Sequence, residues 1–245
     1  MSEYTNLNPS GNTGFDIARL NIAEATPVNL FGYNAVVGSD YETLWNVGGE
    51  YPINATEGTL SVVSSASGDS SKRVLIQGVD GEFEAVSQVV TLDATDATTP
   101  VVTTQEFLRV NQVVLLDGEN AGNITVTRDA STLGYIAIGE GISQACQYTV
   151  PKGYSLYLFR ITMNSATANP NKFIRFRNLT QDKDGRVLRV ARATSAVSQV
   201  QYDRQIPFRI NECTFFEFEA QSSSGENEVA MFVECVLLKN PWGRD

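Results

Sequence analysis

"VVTLDATDATTPVVTTQEFLRVNQVVLL", residues 89–116, decides how this chain is read. Two blocks rich in Val and Thr flank a short insert of Asp, Ala, Thr and Pro. Val89 and Thr91 fall on one side of a strand and Val90 and Leu92 on the other, because successive strand side chains alternate. Thr packs through its methyl on a pleated surface, so a Val/Thr mixture suits a partly exposed sheet. "DATDATTP" turns the chain, and Pro100, which has no N–H to donate, confines pairing there to an edge or a strand start. The stretch reads as scaffold: two strand regions joined by a Thr-rich turn.

The same pattern extends outward in both directions. From Thr59, "TLSVVSSAS", "KRVLIQGVD", "FEAVSQVVTLDA", "FLRVNQVVLLDG" and "GNITVT" are short β-branched runs separated by turn chemistry. Asp80-Gly81 predicts a hairpin in which the glycine takes the positive φ. After the connector "DASTLGYIAIGEG" a second series begins: "QACQYTVPKGYSLYLFRITMN", "KFIRFRNL", "GRVLRVAR", "SQVQYDRQIPFRI", "CTFFEFEAQ" and "EVAMFVECVLLKN". Tyr154, Leu156 and Leu158 alternate with Ser155, Tyr157 and Phe159, which predicts a strand covered on both faces. The expected fold is all-β: two antiparallel β-sandwich domains, jelly-roll or immunoglobulin-like, over residues 36–140 and 141–245, the second jelly-roll-like. An extended N-terminal arm over residues 1–35 precedes them, with at best a short helix in "DIARLNIAEA". Ser39 and Glu42 fit a capping box and Gly48-Gly49 a helix stop, predicting a short helix over 40–47 with Leu44 and Trp45 as buried anchors.

The 245 residues suffice for a sizeable core, and 42% apolar with 19% charged residues is ordinary for a globular chain. No run of about 18 apolar residues exists, so no membrane span is expected. "MSEYTNLNPSGNTGFD" has neither a basic flank nor an apolar core, and the chain is expected to fold inside a cell. The sequence contains no histidine. A Ser–His or Cys–His nucleophile and a His-ligated zinc site are thereby excluded. Cys146, Cys213 and Cys235, widely spaced and without a CxxC pair, read as small buried apolar residues. No cofactor and no metal are expected. The net charge of −10 is unevenly spread: residues 1–140 hold 5 Lys/Arg against 18 Asp/Glu, residues 141–245 hold 13 against 10. An acidic whole repels a phosphate backbone, which argues against direct nucleic-acid binding.

"FIRFRNLTQDKDGRVLRVAR" reads as a hairpin folded at Asp184-Gly185, with Ile174, Phe176, Leu188 and Val190 on one face and Arg175, Arg177 and Arg189 on the other. Lys172 to Arg209 hold 9 Lys/Arg against 3 Asp/Glu, either a solvated outer face or a docking patch for the acidic half of a neighbouring copy. "DKDGR" lacks the further ligands of a calcium loop and is an ordinary turn. Glu217 and Glu219 lie on one strand face about 6.5–7 Å apart, near glycosidase carboxylate separations. A half-buried strand with a wet side explains them better, because Phe216, Phe218 and Ala220 form its apolar face. "GISQA" at 141–145 lacks the last glycine of a nucleophile elbow and any histidine base. "GEG" at 139–141 is too short for a phosphate loop. Asn54, Asn123 and Asn178 match glycosylation acceptors as a chain rich in Asn and Thr does by chance.

The ordered set "LFGYN…YETLWNVGGEYPI…TLSVVSSASGDSS…VLIQGVDGEFEAVSQVVTLDATDATTPVVTTQEFLRVNQVVLLDGENAGNITVT…IGEGISQACQYTVPKGYSLYL" resembles a family of tailed-bacteriophage virion structural proteins common in marine and environmental phages. The resemblance runs from about residue 30 to 160, continues loosely through "PFRINECTFFEFEA", and is most recognisable in residues 89–116. This chain departs from the family at Lys152, where members carry a smaller residue, and after Gly141, where they are more polar. The resemblance implies a virion component and supplies no catalytic residues. On this reading the chain is a non-enzymatic, oligomeric accessory protein outside the particle, a capsid decoration or head/neck appendage. The alternative is a tail adaptor or tail-fibre-associated protein that binds glycans, with Tyr154, Tyr157 and Tyr202 as stacking platforms. Its partners would be itself, as a homotrimer, and other virion proteins, with a host glycan under the alternative. The candidate interface residues are Phe31, Tyr33 and Trp45 near the N-terminus and Arg175, Arg177, Arg189 and Arg192 in the basic hairpin.

Overall fold

The computed structural model describes residues 13–18, 22–53, 56–166, 173–195, 198–223 and 227–240. In chain order these form helix α1 (Thr13–Ala18) and strands β1 (Ala25–Val37), β2 (Glu42–Thr43), β3 (Ser61–Ser64), β4 (Arg73–Val79), β5 (Ala85–Thr91), β6 (Val101–Val102), β7 (Arg109–Leu115), β8 (Ile124–Arg128) and β9 (Ser131–Ile136). They continue with β10 (Gln147–Thr149), β11 (Tyr154–Ser165), β12 (Ile174–Gln181), β13 (Val187–Ser195), β14 (Gln199–Ile210), β15 (Phe215–Ser222) and β16 (Asn227–Lys239). The fold is all-β and its ladders are antiparallel. Residues 89–116 fold as the alternation requires. Val90 and Leu92 are buried while Val89 and Thr91 face out. After Pro100, β6 is a two-residue strand at the edge of its sheet, paired only with β3.

Four sheets result, with strand orders β1-β16-β11-β14, β10-β15-β12-β13 (β2 also pairing β15), β6-β3-β8-β9 and β5-β4-β7. They enclose two hydrophobic cores. One gathers residues of the first two sheets, among them Leu30, Leu156, Phe176, Phe216, Phe218 and Val233. The other gathers Val62, Ile76, Val110, Val113, Ile124 and Ile136 from the last two sheets, together with Leu60, Phe107, Trp45, Tyr51 and Phe215. The expected boundary at 140/141 does not describe this connectivity. Val37 and Leu44 pack in the core that the C-terminal strands build, and Trp45 is the first residue to enter the other. The chain starts in one core, passes through the second as β3–β9, and returns.

Two local expectations are corrected. Residues 25–35 are not part of an arm: β1 pairs with β16 from Ala25 opposite Leu238 to Val37 opposite Asn227. Its period-two pattern buries Leu30, Gly32 and Asn34. A Cβ on Gly32 would stand 2.6–2.7 Å from the Leu44 carbonyl and the Cys146 side chain, so only glycine lets β1 pass there. The N-terminal residues 1–12 lie outside the described residues. Nor is there a helix over 40–47. Glu42 and Thr43 pair with Ala220 and Glu219 of β15, and the Leu44 N–H donates to the Phe218 carbonyl. The Glu42 carboxylate accepts from the Asn34 amide and the Gly38 and Gly49 N–H groups instead of forming a capping box. Sheet pairing of two residues, with Leu44 and Trp45 buried as expected, outcompetes two helical turns that no partner would cover.

The Asp80-Gly81 hairpin forms between β4 and β5, but by other means than the expected one. Phe83, not Gly81, adopts the positive φ, 62°. Gly81 lies under the Glu57 carboxylate, to which its N–H donates at 2.7 Å. Asp80 Oδ1 accepts the Glu82 and Glu84 N–H groups. Asp80→Ala is expected to cost roughly 0.5–1.5 kcal/mol in urea denaturation, the net worth of the turn's side-chain hydrogen bonds.

Candidate functional site

The acidic pair of β15 is the most unusual chemistry among the described residues. The expected wet face does not exist, because Glu217 is 4% and Glu219 2% exposed. The segment 41–51, pinned by β2, covers them. Strand parity places Phe215, Glu217 and Glu219 on one face of β15, and Phe215 stacks on Tyr51 in the second core. Thr43 Oγ1 donates to Glu217 at 2.8 Å and accepts the Tyr51 N–H. Arg177 on β12, opposite Glu219, closes a two-pronged pair on it, Nη2 to Oε1 at 2.6 Å and Nε to Oε2. The Arg177 guanidinium also lies 4.4 Å from the Tyr41 ring centre. Burial pushes the Glu217 carboxyl up to about 8, the Glu219 charge adding to it, with the Thr43 hydrogen bond and Arg177 opposing.

The partner of Glu217 across the β10–β15 ladder is Gln147. Its amide N–H donates to the Val110 carbonyl at 2.7 Å, and its buried Oε1 has no donor. Directly opposite strand residues bring their side chains together. The pair is a polar seam joining the two cores, since Val110 belongs to one and the β15 ladder to the other. Asn111 makes the same bridge, exchanging hydrogen bonds with the backbone of Thr149.

The expected interface residues separate into three groups. Trp45 is core: it is 4% exposed, packs edge-on to Tyr51, and its indole donates to the Gly48 and Gly49 carbonyls. Phe31 is a surface residue, 46% exposed, tilted against Phe232 at 4.7 Å. Tyr33 is half-buried on β1, its hydroxyl pushed up by burial and by a hydrogen bond to Glu228. Arg175 bonds Gln221 and covers the Phe173 ring, and Arg177 is committed to Glu219. Register also corrects the predicted basic face. Arg192, not Arg189, pairs with Arg177, and Arg189 pairs with Thr180. The side chains of Arg189 and Arg192 lie outside the described ones. The three cysteines are free, with Cys146 and Cys235 buried as expected.

Where β13 and β14 edge their sheets, an open groove of about 320 Å³ exposes the first core, lined by Leu158, Ile161, Met163, Phe176, Phe208 and Phe218. Beside it β14 bulges: Phe208 pairs with Leu158, yet Asp203 already pairs with Arg160. The bulged residues project Ile206, 84% exposed, with Tyr202 and Phe159 nearby at 48% and 38%. Sequence reasoning missed this edge; the Pro207 that marks the bulge was its one signal. A second, wider cleft lies between β1 and the β5-β4-β7 sheet.

No family model and no curated protein matches the chain. Among solved structures it is similar to that of infectious bursal disease virus Gt strain, at 11% identity and TM-score 0.26, over 88% of this chain and 73% of that one. The Gx strain structure gives 12% identity and TM-score 0.28, over 90% and 72%. The VP2 subviral particle of the same virus gives 12% and 0.24, over 88% and 76%. At such scores the likeness carries no structural argument.

Proposed function

We propose that the chain is a non-enzymatic structural component of a tailed-phage virion, an oligomeric accessory protein on the particle exterior, with its four sheets serving as a pair of jelly-roll-like sandwiches. The reading rests on the sequence resemblance over residues 30–160. The observation that supports an assembling protein is the uncovered groove between the β13 and β14 edges. Apolar surface rimmed by polar groups marks an interaction site, and Ile206 at 84% exposure is the extreme case. A second copy is the occupant proposed, in a homotrimer. The groove lies in the half of the chain with 13 Lys/Arg against 10 Asp/Glu, and the other half carries 5 against 18, so neighbouring copies meet with opposite charge. The Pro207 bulge disfavours simple edge-to-edge pairing of β14, which leaves side-chain packing as the mode of contact.

Two measurements test this. Mass spectrometry of purified phage particles is expected to find the chain as a stoichiometric component; its absence from particles that encode it would sink the virion reading. Native mass spectrometry is expected to give a trimer that Ile206→Asp converts to monomer without lowering the melting temperature. An unchanged oligomer would remove the groove from the interface.

A further inference from the structure

The wider cleft, about 580 Å³, is built differently from the groove. One wall is β1 from Thr26 to Phe31; the other is the face of the β5-β4-β7 sheet. Seventeen residues line it and none carries a charge, in a chain whose net charge is −10. On the sheet wall Ser87, Gln77 and Gln112 stand directly opposite one another on three adjacent strands. They form one polar row about 10 Å long at the ~4.8 Å strand spacing. Asn29, exposed on β1, belongs to the opposite wall. Among the described residues these three amides and the hydroxyl engage no protein side chain or backbone group, so their donors and acceptors are unspent. Two rings complete the lining. Phe31 is held against Phe232, and Tyr148 is half-buried beside Asn111.

Each feature restricts the ligand. A lining without charge selects neither phosphate nor an acidic or basic peptide. Amides offer a donor and an acceptor side by side, matching vicinal hydroxyls, and exposed ring faces accept the apolar C–H face of a pyranose. The volume falls in the range of small-ligand sites, and the row has the length of a disaccharide. We infer that this cleft binds a neutral oligosaccharide, with Gln77, Gln112, Ser87 and Asn29 taking its hydroxyls and Phe31 stacking on a ring. The site goes beyond the scaffold reading and does not rest on it, and it uses none of Tyr154, Tyr157 or Tyr202.

The test is saturation-transfer NMR on the full chain with neutral di- to tetrasaccharides of glucose, galactose and N-acetylglucosamine at millimolar concentration. Saturation transfer to at least one sugar is expected. Gln77→Ala with Gln112→Ala should weaken it by at least roughly tenfold, the effect of losing about 1.4 kcal/mol of hydrogen bonding. Ala85→Trp, at an exposed lining position, should block it while the melting temperature holds. Three outcomes overturn the inference: no transfer to any neutral sugar, transfer that both variants leave intact, or preferential capture of acidic sugars or of a peptide matching residues 1–12. None bears on whether the chain is found in phage particles.

Discussion

Glu217→Gln is expected to flatten a loss of stability that the native chain shows as pH rises from about 4.5 to about 8. The sign follows from linkage. Burial raises the folded-state carboxyl from 4.5 to about 8, so across that window the folded chain keeps a proton that the unfolded chain has released. Stability from this group is complete below pH 4.5 and lost as pH climbs to 8. At about 1.36 kcal/mol per unit, the upper limit of the loss is on the order of 4–5 kcal/mol. A glutamine accepts the Thr43 hydroxyl as the carboxyl does, and its amide donates to the Gln147 Oε1 that otherwise lacks a partner. It does both at every pH. Urea denaturation at pH 5 and pH 9 is the measurement. The variant should nearly match the native chain at pH 5 and exceed it at pH 9. A native chain equally stable at both would mean that Glu217 ionises in the fold at no cost. Glu217→Ala, by contrast, should weaken the fold at both pH values, since it strands the Thr43 hydroxyl and leaves a void.

The periodic elements were legible in the sequence because a strand's period writes itself into side-chain order. Val90 and Leu92 in, Val89 and Thr91 out, could be read directly, and Pro100 announced the edge at β6. The segment 25–47 was misread for a definable reason. Its alternating "PVNLFGYNAVV" was present, but the turn residues before it suggested an arm, and the partner that makes it a strand lies some 200 residues away in β16. Ser39 and Glu42 fitted a local capping motif, and a long-range ladder to β15 took precedence. The site was less legible than the fold. Spacing placed Glu217 and Glu219 on one face, yet nothing local says that Thr43, Tyr51 and Arg177 will cover that face. The row of Ser87, Gln77 and Gln112 depends on the register of three strands, and register is settled by pairing, not by any one segment.

Removing the Arg177 guanidinium is the second large effect expected, and its value lies in an asymmetry. Glu219 is 2% exposed at its side chain and depends on Arg177, which retains 24% exposure and lies over Tyr41. Arg177→Ala leaves a buried carboxylate without its cation, at a cost of about 3–5 kcal/mol. Glu219→Gln leaves a cation that still reaches water and an aromatic face, so its cost should be smaller, roughly 1–2 kcal/mol. Arg177→Met combined with Glu219→Leu should recover most of the larger loss, because no charge is then buried. The pair also tunes its neighbour in opposite directions. Arg177 lowers the Glu217 pKa and Glu219 raises it, so Arg177→Ala should move the Glu217 titration above 8 and Glu219→Gln should move it below. Carbon NMR of the labelled Glu217 carboxyl reads both shifts. Equal costs for the two single variants, or shifts of the same sign, would show that the three side chains do not act as one buried network. Burial raises the Glu217 carboxyl against the pull of the Thr43 hydroxyl, Arg177 forks onto Glu219 beside it, and both effects depend on the segment 41–51 keeping water away from the face where the two cores meet.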